Sequence, residues 1–170
     1  MTRFVVLFRG INVGGHNKLP MKPLVSLLED NGFTNVTSYI QSGNIVLNSK
    51  EDPTITIMSL ISQEFDLKPQ IMTLTAEDFI TIKNNNPYSN EEGKSVHCYI
   101  CKEIPKINTE KIQQYQLSTE KTTLINNTFY LYAPDGIGRS KLVSNIETCL
   151  GVPTTGRNLN TINKIFSLLN

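Results

Sequence analysis

The segment Arg9-Gly10-Ile11-Asn12-Val13-Gly14-Gly15-His16-Asn17-Lys18-Leu19-Pro20 follows an apolar strand and holds three glycines, two asparagines and an arginine before any helix can begin. Glycine takes φ > 0 without penalty and lets a ligand approach the main chain, and such loops commonly carry function. An arginine beside that backbone adds a guanidinium suited to charge-assisted pairing with an anion. The expected chemistry is recognition of a small anionic or polar ligand. Arg9 would pair the anion, Gly10, Gly14 and Gly15 would offer backbone N–H groups, and Asn12, Gln41, Ser42 and Asn44 would fix its orientation. No nucleophile and base pair is identifiable, so whether a reaction is catalysed stays open. Electrostatic stabilisation by preorganised donors is the catalysis such a set could supply.

Two later segments offer similar groups. Pro134-Asp135-Gly136-Ile137-Gly138-Arg139-Ser140-Lys141 leads from a strand into a helix, and Thr154-Thr155-Gly156-Arg157-Asn158 leads into the last one. Both set cations, Arg139, Lys141 and Arg157, beside helix N-terminal N–H groups, which favours a bound anion. Asn158 joins them as a ligand candidate. In the alternative reading Ser140 and Asn158 simply cap their helices while the cations are solvated or salt-bridged.

Several familiar chemistries do not fit. Gly10 and Gly15 are spaced like the glycines of a phosphate-binding P-loop, but His16 and Asn17 occupy the lysine and hydroxyl positions, and the helix starts only after Pro20. The GxGxxG dinucleotide pattern is absent, and no cofactor is called for. Cys98 and Cys101 have the spacing of a redox or zinc half-site, yet on a strand residues three apart point to opposite faces. Together with Cys149 they read as buried structural thiols. His97, on the same strand without a visible partner, reads as a core or interface residue.

With 39% apolar and 18% charged residues over 170 positions, the chain has the composition of a self-supporting globular protein. A net charge of +1 with dispersed lysines and arginines argues against a duplex nucleic-acid partner. No apolar run approaches the ~20 residues needed to cross a bilayer, and no signal-peptide pattern opens the chain, so no membrane partner and a cytoplasmic location are expected.

These groups must be positioned by the elements around them. Arg3 to Arg9 reads as a central strand, because Phe4/Val6/Phe8 and Val5/Leu7 make both of its faces apolar. A helix over 22–31 follows, then strands over 35–41 and 44–48 joined at Ser42-Gly43, a helix opened by Pro53, and a strand over 69–74. That order, βαββαβ, is the ferredoxin-like split motif. The pattern resumes with a helix over 76–83, a strand over 95–101, a helix over 109–117, strands over 121–126 and 128–133, and helices over 139–150 and 158–169. The expectation is an α+β fold of two ferredoxin-like halves, residues 1–74 and 75–170, packed as one unit. The second half is incomplete, ending in a helix where a fourth strand would stand. In the first half, the end of the first strand would lie beside the start of the third, bringing Arg9 and its loop to the hairpin Gln41–Asn44.

At Leu7-Phe8-Arg9-Gly10-Ile11-Asn12-Val13-Gly14-Gly15, Tyr39-Ile40-Gln41-Ser42-Gly43-Asn44-Ile45-Val46 and Thr155-Gly156-Arg157-Asn158-Leu159-Asn160-Thr161, the chain resembles the bacterial LRGINVGG proteins, domain-of-unknown-function family 1697. The motifs occur in the family's order and span nearly the whole chain. Departures are Phe8 for the usual leucine, His16 for a common lysine and Leu159 for a frequent tryptophan. The resemblance implies two ferredoxin-like halves and no established activity, cofactor or catalytic residue.

Two other functions compete. The ferredoxin-like sheet is shared with RNA-recognition modules, but Ser42 to Asn48 lacks the aromatics on which such modules stack bases. Alternatively the loop is a protein-docking surface, with the second apolar face of the first strand covered by the other half or by a second subunit in a homo-oligomer.

Overall fold

The computed structural model describes residues 1–170. Its first elements are β1 (Thr2–Arg9), α1 (Met21–Asp30), β2 (Thr34–Tyr39), β3 (Asn44–Ser49), α2 (Thr54–Phe65), β4 (Gln70–Thr75) and α3 (Ala76–Asn84). After a single 3-10 turn at Gly93–Ser95 come β5 (Val96–Cys101), α4 (Thr109–Tyr115), β6 (Lys121–Ile125), β7 (Thr128–Tyr132), α5 (Lys141–Ser144), α6 (Ile146–Leu150), β8 (Thr154–Asn158) and α7 (Leu159–Leu168). They form two four-stranded sheets ordered β2-β3-β1-β4 and β6-β7-β5-β8, antiparallel throughout. Both are ferredoxin-like. Residues Met1–Thr81 and Lys164–Asn170 make one compact unit and Ile82–Asn163 the other. The division falls inside α3 rather than after Leu74, and the last residues group with the first unit. Arg3 holds them there, donating from Nη2 to Leu168 O at 2.8 Å and from Nη1 to Asn35 O at 2.8 Å.

In the first unit β1 is apolar on both faces, as a strand covered on both sides must be. Phe4, Val6 and Phe8 meet Ile45 and Leu47 of β3 and the inner faces of α1 and α2, through Leu24, Leu28, Ile57 and Ile61. Each such fully buried side chain contributes roughly 1.5–3 kcal/mol. Val5, Leu7 and Val46, on the other face, are also buried. Helix α1 stops where Asn31-Gly32 predicts: Phe33 N–H donates to Leu28 O and Gly32 N–H to Glu29 O, both at 3.1 Å, satisfying carbonyls a helix end leaves open.

The second unit departs from expectation in two places. The fourth strand expected to be missing is present, because Thr154–Asn158 pairs with β5 from Cys101↔Thr154 to His97↔Asn158. This segment hides itself in sequence: it has no apolar alternation, and Gly156 sits mid-strand. Its glycine lies under the Tyr99 ring, where a Cβ would come within 2.8 Å of Cε1, so the aromatic on β5 fills the space a side chain would take. The single helix expected over 139–150 is two. Asn145 interrupts it at φ −117°, its side-chain amide donating to Lys141 O at 2.8 Å in competition with the backbone.

All three thiols are buried and free. Tyr99 and Cys101 share a core with Phe129, Leu142 and Cys149, whereas Cys98 lies on the opposite face, as strand alternation requires. Burial pushes the Cys98 thiol up to about 12 and that of Cys101 to about 11, so neither is a ready nucleophile.

His97 stacks on Tyr99 with ring centroids 6.3 Å apart, is 8% exposed, and leaves Nδ1 without a hydrogen-bond partner. Desolvation lowers its pKa from the ordinary value of 6.5. The unfolded chain therefore takes up this proton first, and the stability contributed by the neutral imidazole is present above about pH 6.5 and lost as pH falls toward the folded value. The urea midpoint should drop between pH 7.5 and pH 5, and less steeply in His97→Gln. Parallel decline of the two proteins would assign the acid lability to other groups.

Candidate ligand site at the end of the first strand

Strand β1 leaves its sheet at Arg9 with β3 on one flank and β4 on the other. The chain turns at Gly10, and Ile11 drops into the core. Residues 12–17 then fold into a miniature hairpin: Asn12 N–H donates to Asn17 O at 3.1 Å and His16 N–H to Val13 O at 2.9 Å. Gly14 and Gly15 occupy its turn with φ of +56° and +76°. Two successive positive φ angles define a type I′ turn, for which adjacent glycines are the natural residues. The pair thus has a local structural reason to be glycine. The tip is solvent-exposed, with Val13 65% accessible.

The expected neighbourhood of loop and hairpin is present, because Leu7 of β1 pairs with Asn44 of β3. Two of its amide side chains, those of Asn12 and Asn44, are occupied in building it. Asn12 donates from Nδ2 to Leu19 O at 2.9 Å and Gln41 O at 2.8 Å, and accepts from Leu19 N–H at 2.7 Å. Asn44, 1% exposed, donates to Tyr39 O at 2.9 Å and Ser42 Oγ at 3.3 Å. Asn12 and Asn44 therefore position the loop and hairpin, to which Ser42 adds a hydroxyl acceptor and Gln41 its main-chain carbonyl. Asn12→Ala should cost about 2 kcal/mol, since it strands the backbone groups of buried Leu19. Urea unfolding measures this, and a loss below about 0.5 kcal/mol would show that the clamp is dispensable.

The open space lies on the other flank of β1. A cavity of about 300 Å³ is bounded by Arg9, Gly10 and Ile11 at the strand end, Asn17 of the miniature hairpin, and Leu67, Lys68, Pro69 and Gln70 on the approach to β4. Antiparallel pairing fixes this placement, because Arg9 stands opposite Gln70. Asn17 is held at the rim by donating to Gly10 O at 3.0 Å. Lys68 and Gln70 escaped sequence reasoning, although the signal was available: in a ferredoxin-like sheet the first strand also neighbours the fourth, so the start of that strand must face the end of the first. Pro69 and the left-handed Asp66, φ +53°, which ends α2, set the path that brings Lys68 there.

Arg139, Lys141, Arg157 and Asn158 belong to the second unit, and none lines this cavity. Ser140 caps α5, accepting from Val143 N–H at 3.3 Å, while Arg139 and Lys141 are exposed. Asn158 Oδ1 accepts from Thr161 N–H at 2.9 Å and caps α7. Arg157 pairs with Cys98 across the ladder and so projects from that face, whereas α5 packs its Leu142 against the Tyr99 face. The structure thus separates Arg157 from Arg139 and Lys141 by the thickness of the sheet. Burial lowers the Arg157 guanidinium to about 10, and its Nη1 donates to Gly156 O at 2.9 Å.

Fold and site together define an α+β protein of two ferredoxin-like halves with a small polar cleft where its first central strand ends. A family model described as a protein of unknown function (DUF1697) matches residues 1–130, and the chain belongs to that family. Among solved structures, the conserved bacterial protein SP0830 from Streptococcus pneumoniae is similar in fold, with a TM-score of 0.75 and 23% identity over 99% of each chain. No curated protein matches the chain. No helix is long and apolar enough to cross a membrane.

Proposed function

We propose that the first unit binds a small anion-bearing ligand in the cleft between the end of β1 and the approach to β4. The observation that carries this reading is that Arg9, at the end of β1, and Lys68, in the segment before β4, border one cavity whose lining contains no aspartate or glutamate. Asn17 and Gln70 add amides beside them, and the exposed lining is mainly polar, as a site for a small charged ligand requires. The lining offers no carboxylate, imidazole, hydroxyl or thiol, so the geometry supports recognition and electrostatic stabilisation rather than nucleophilic catalysis.

The nucleic-acid alternative has less support. RNA-recognition modules read bases on an open sheet surface, and here the β1 and β3 residues Val5, Leu7 and Val46 of that surface are buried.

A thermal-shift screen of small carboxylates, phosphates and sulfates tests the proposal. At a hundredfold excess over its Kd, a ligand of this site should raise Tm by about 5 °C or more. Lys68→Met should abolish most of that shift. A hit that persists undiminished in both Lys68→Met and Arg9→Gln would place binding elsewhere.

A further inference from the structure

We infer that the ligand of the cleft is a hydroxylated anion, a short polyol body carrying one carboxylate or phosphate, an inference that rests on the anion site proposed above. The hydrogen bonds already made in the lining separate what a ligand must accept from what it must donate. Lys68 is exposed and its ammonium makes no ion pair within the protein, so its donors are available to an anion. Gln70, also exposed, has a side-chain amide without a protein partner, leaving both its N–H groups and its oxygen unclaimed. Asn17 is different. Its Nδ2 donates to Gly10 O at 3.0 Å, which fixes the nitrogen end of the amide and leaves Oδ1 as an acceptor with no protein donor.

An oxyanion answers only half of this set. Carboxylate or phosphate oxygens accept from Lys68 and from the Gln70 amide nitrogen, and the charge of Arg9 adds to the attraction whatever its own hydrogen bonds. The side-chain oxygens of Asn17 and Gln70 need hydrogens, which an ionised oxyanion does not carry. A ligand that displaces water from them must return those hydrogen bonds or lose affinity. An ammonium could donate, but it would share the cavity with Arg9 and Lys68 where no carboxylate balances them. The donor must therefore be neutral. A hydroxyl fits, because it both donates and accepts, as the amides it meets do. The mainly polar exposed lining agrees, since an alkyl body would cover polar groups without replacing their water. A volume of about 300 Å³ stands at the small end of ligand pockets, which suits a body of a few carbons.

Amide NMR titrations of the full chain at pH 7.5 test this inference with two matched pairs, gluconate against hexanoate and glycerol 3-phosphate against propyl phosphate, and with uncharged sorbitol. In at least one pair the hydroxylated member should move the Gly10, Lys68 and Gln70 backbone signals and the Asn17 side-chain amide signals. It should bind about tenfold more tightly than its partner, as roughly two additional hydrogen bonds predict. The pair that shows this names the anionic group. Gln70→Met should remove most of that preference, because it deletes one amide while leaving Lys68 and Arg9 in place. Equal binding of both members in each pair would overturn the hydroxylated class, and a preference untouched by Gln70→Met would overturn its recognition by the cleft amides; both results leave the anion site in place. Sorbitol binding as tightly as the anions, or no probe moving those signals, would overturn the anion site and this inference with it.

Discussion

Gly43→Ala is expected to destabilise the first unit by about 3 kcal/mol, combining roughly 1–2 kcal/mol for a side chain in the left-handed region with roughly 1–3 kcal/mol for overpacking. Gly43 has φ +90°, and a Cβ there would lie 2.6 Å from Ile11 Cδ1 and 2.7 Å from Phe8 Cβ. Neither neighbour can withdraw easily, since both are core residues and Phe8 N–H donates to Gly43 O at 2.9 Å, tying the two backbones. The hairpin also places β-branched Ile40 at φ +50°, a conformation such residues rarely adopt, so it has little slack to absorb a shift. Denaturant unfolding of parent and variant gives the cost. A double variant that also shortens the obstacle, Gly43→Ala with Ile11→Ala, should lose less than the sum of the two single changes. Additive losses, or a single-variant cost below about 1 kcal/mol, would show that the close approach does not constrain the fold.

Ser140→Ala should cost the second unit about 3 kcal/mol through a different mechanism, the loss of one hydroxyl with two roles. Its oxygen caps α5 by accepting from Val143 N–H, and its O–H donates to Glu120 Oε2 at 2.8 Å. Glu120 is only 4% exposed, and its other oxygen accepts from Leu117 N–H at 2.9 Å. Losing the cap alone is worth about 1 kcal/mol, whereas a buried carboxyl oxygen left without its donor adds roughly 1–3 kcal/mol. A double-mutant cycle with Glu120→Gln separates the two roles. Coupling of about 1 kcal/mol or more supports the paired arrangement, and coupling near zero would reduce Ser140 to a helix cap.

The same carboxyl group shows how a buried polar site organises its surroundings. The negative charge of Glu120 raises the pKa of Tyr99 further, beyond the larger effect of that phenol's own burial. Tyr99 in turn covers Gly156, so the side of β5 facing its core and the edge strand β8 are linked through one ring.

Much of this architecture was legible in local patterns. Alternation in Phe4 to Phe8, the Asn31-Gly32 stop and the Ser42-Gly43 turn each encode a local conformation, and their order encodes a ferredoxin-like half. The edge strand β8 was not legible, because Thr154-Thr155-Gly156-Arg157-Asn158 carries no apolar alternation of its own and gains strand geometry only from pairing with β5. Asn12 and Asn44 stand out in sequence as unusual polar residues, but residue type does not say whether an amide faces a ligand or a neighbouring carbonyl.

By itself the sequence determined that β1 is apolar on both faces, that the backbone turns tightly at Ser42-Gly43, and that the chain carries the motifs of its family. These properties depend on near neighbours and on side-chain periodicity, which a linear string records. Only the tertiary structure decided that Arg9 shares a cavity with Lys68 and Gln70 at the start of β4, that the second sheet has its fourth strand, and that Arg157 stands on the face opposite α5. Those outcomes depend on hydrogen-bond pairing between residues far apart in the chain, where the register, and not the local composition, chooses which side chains meet.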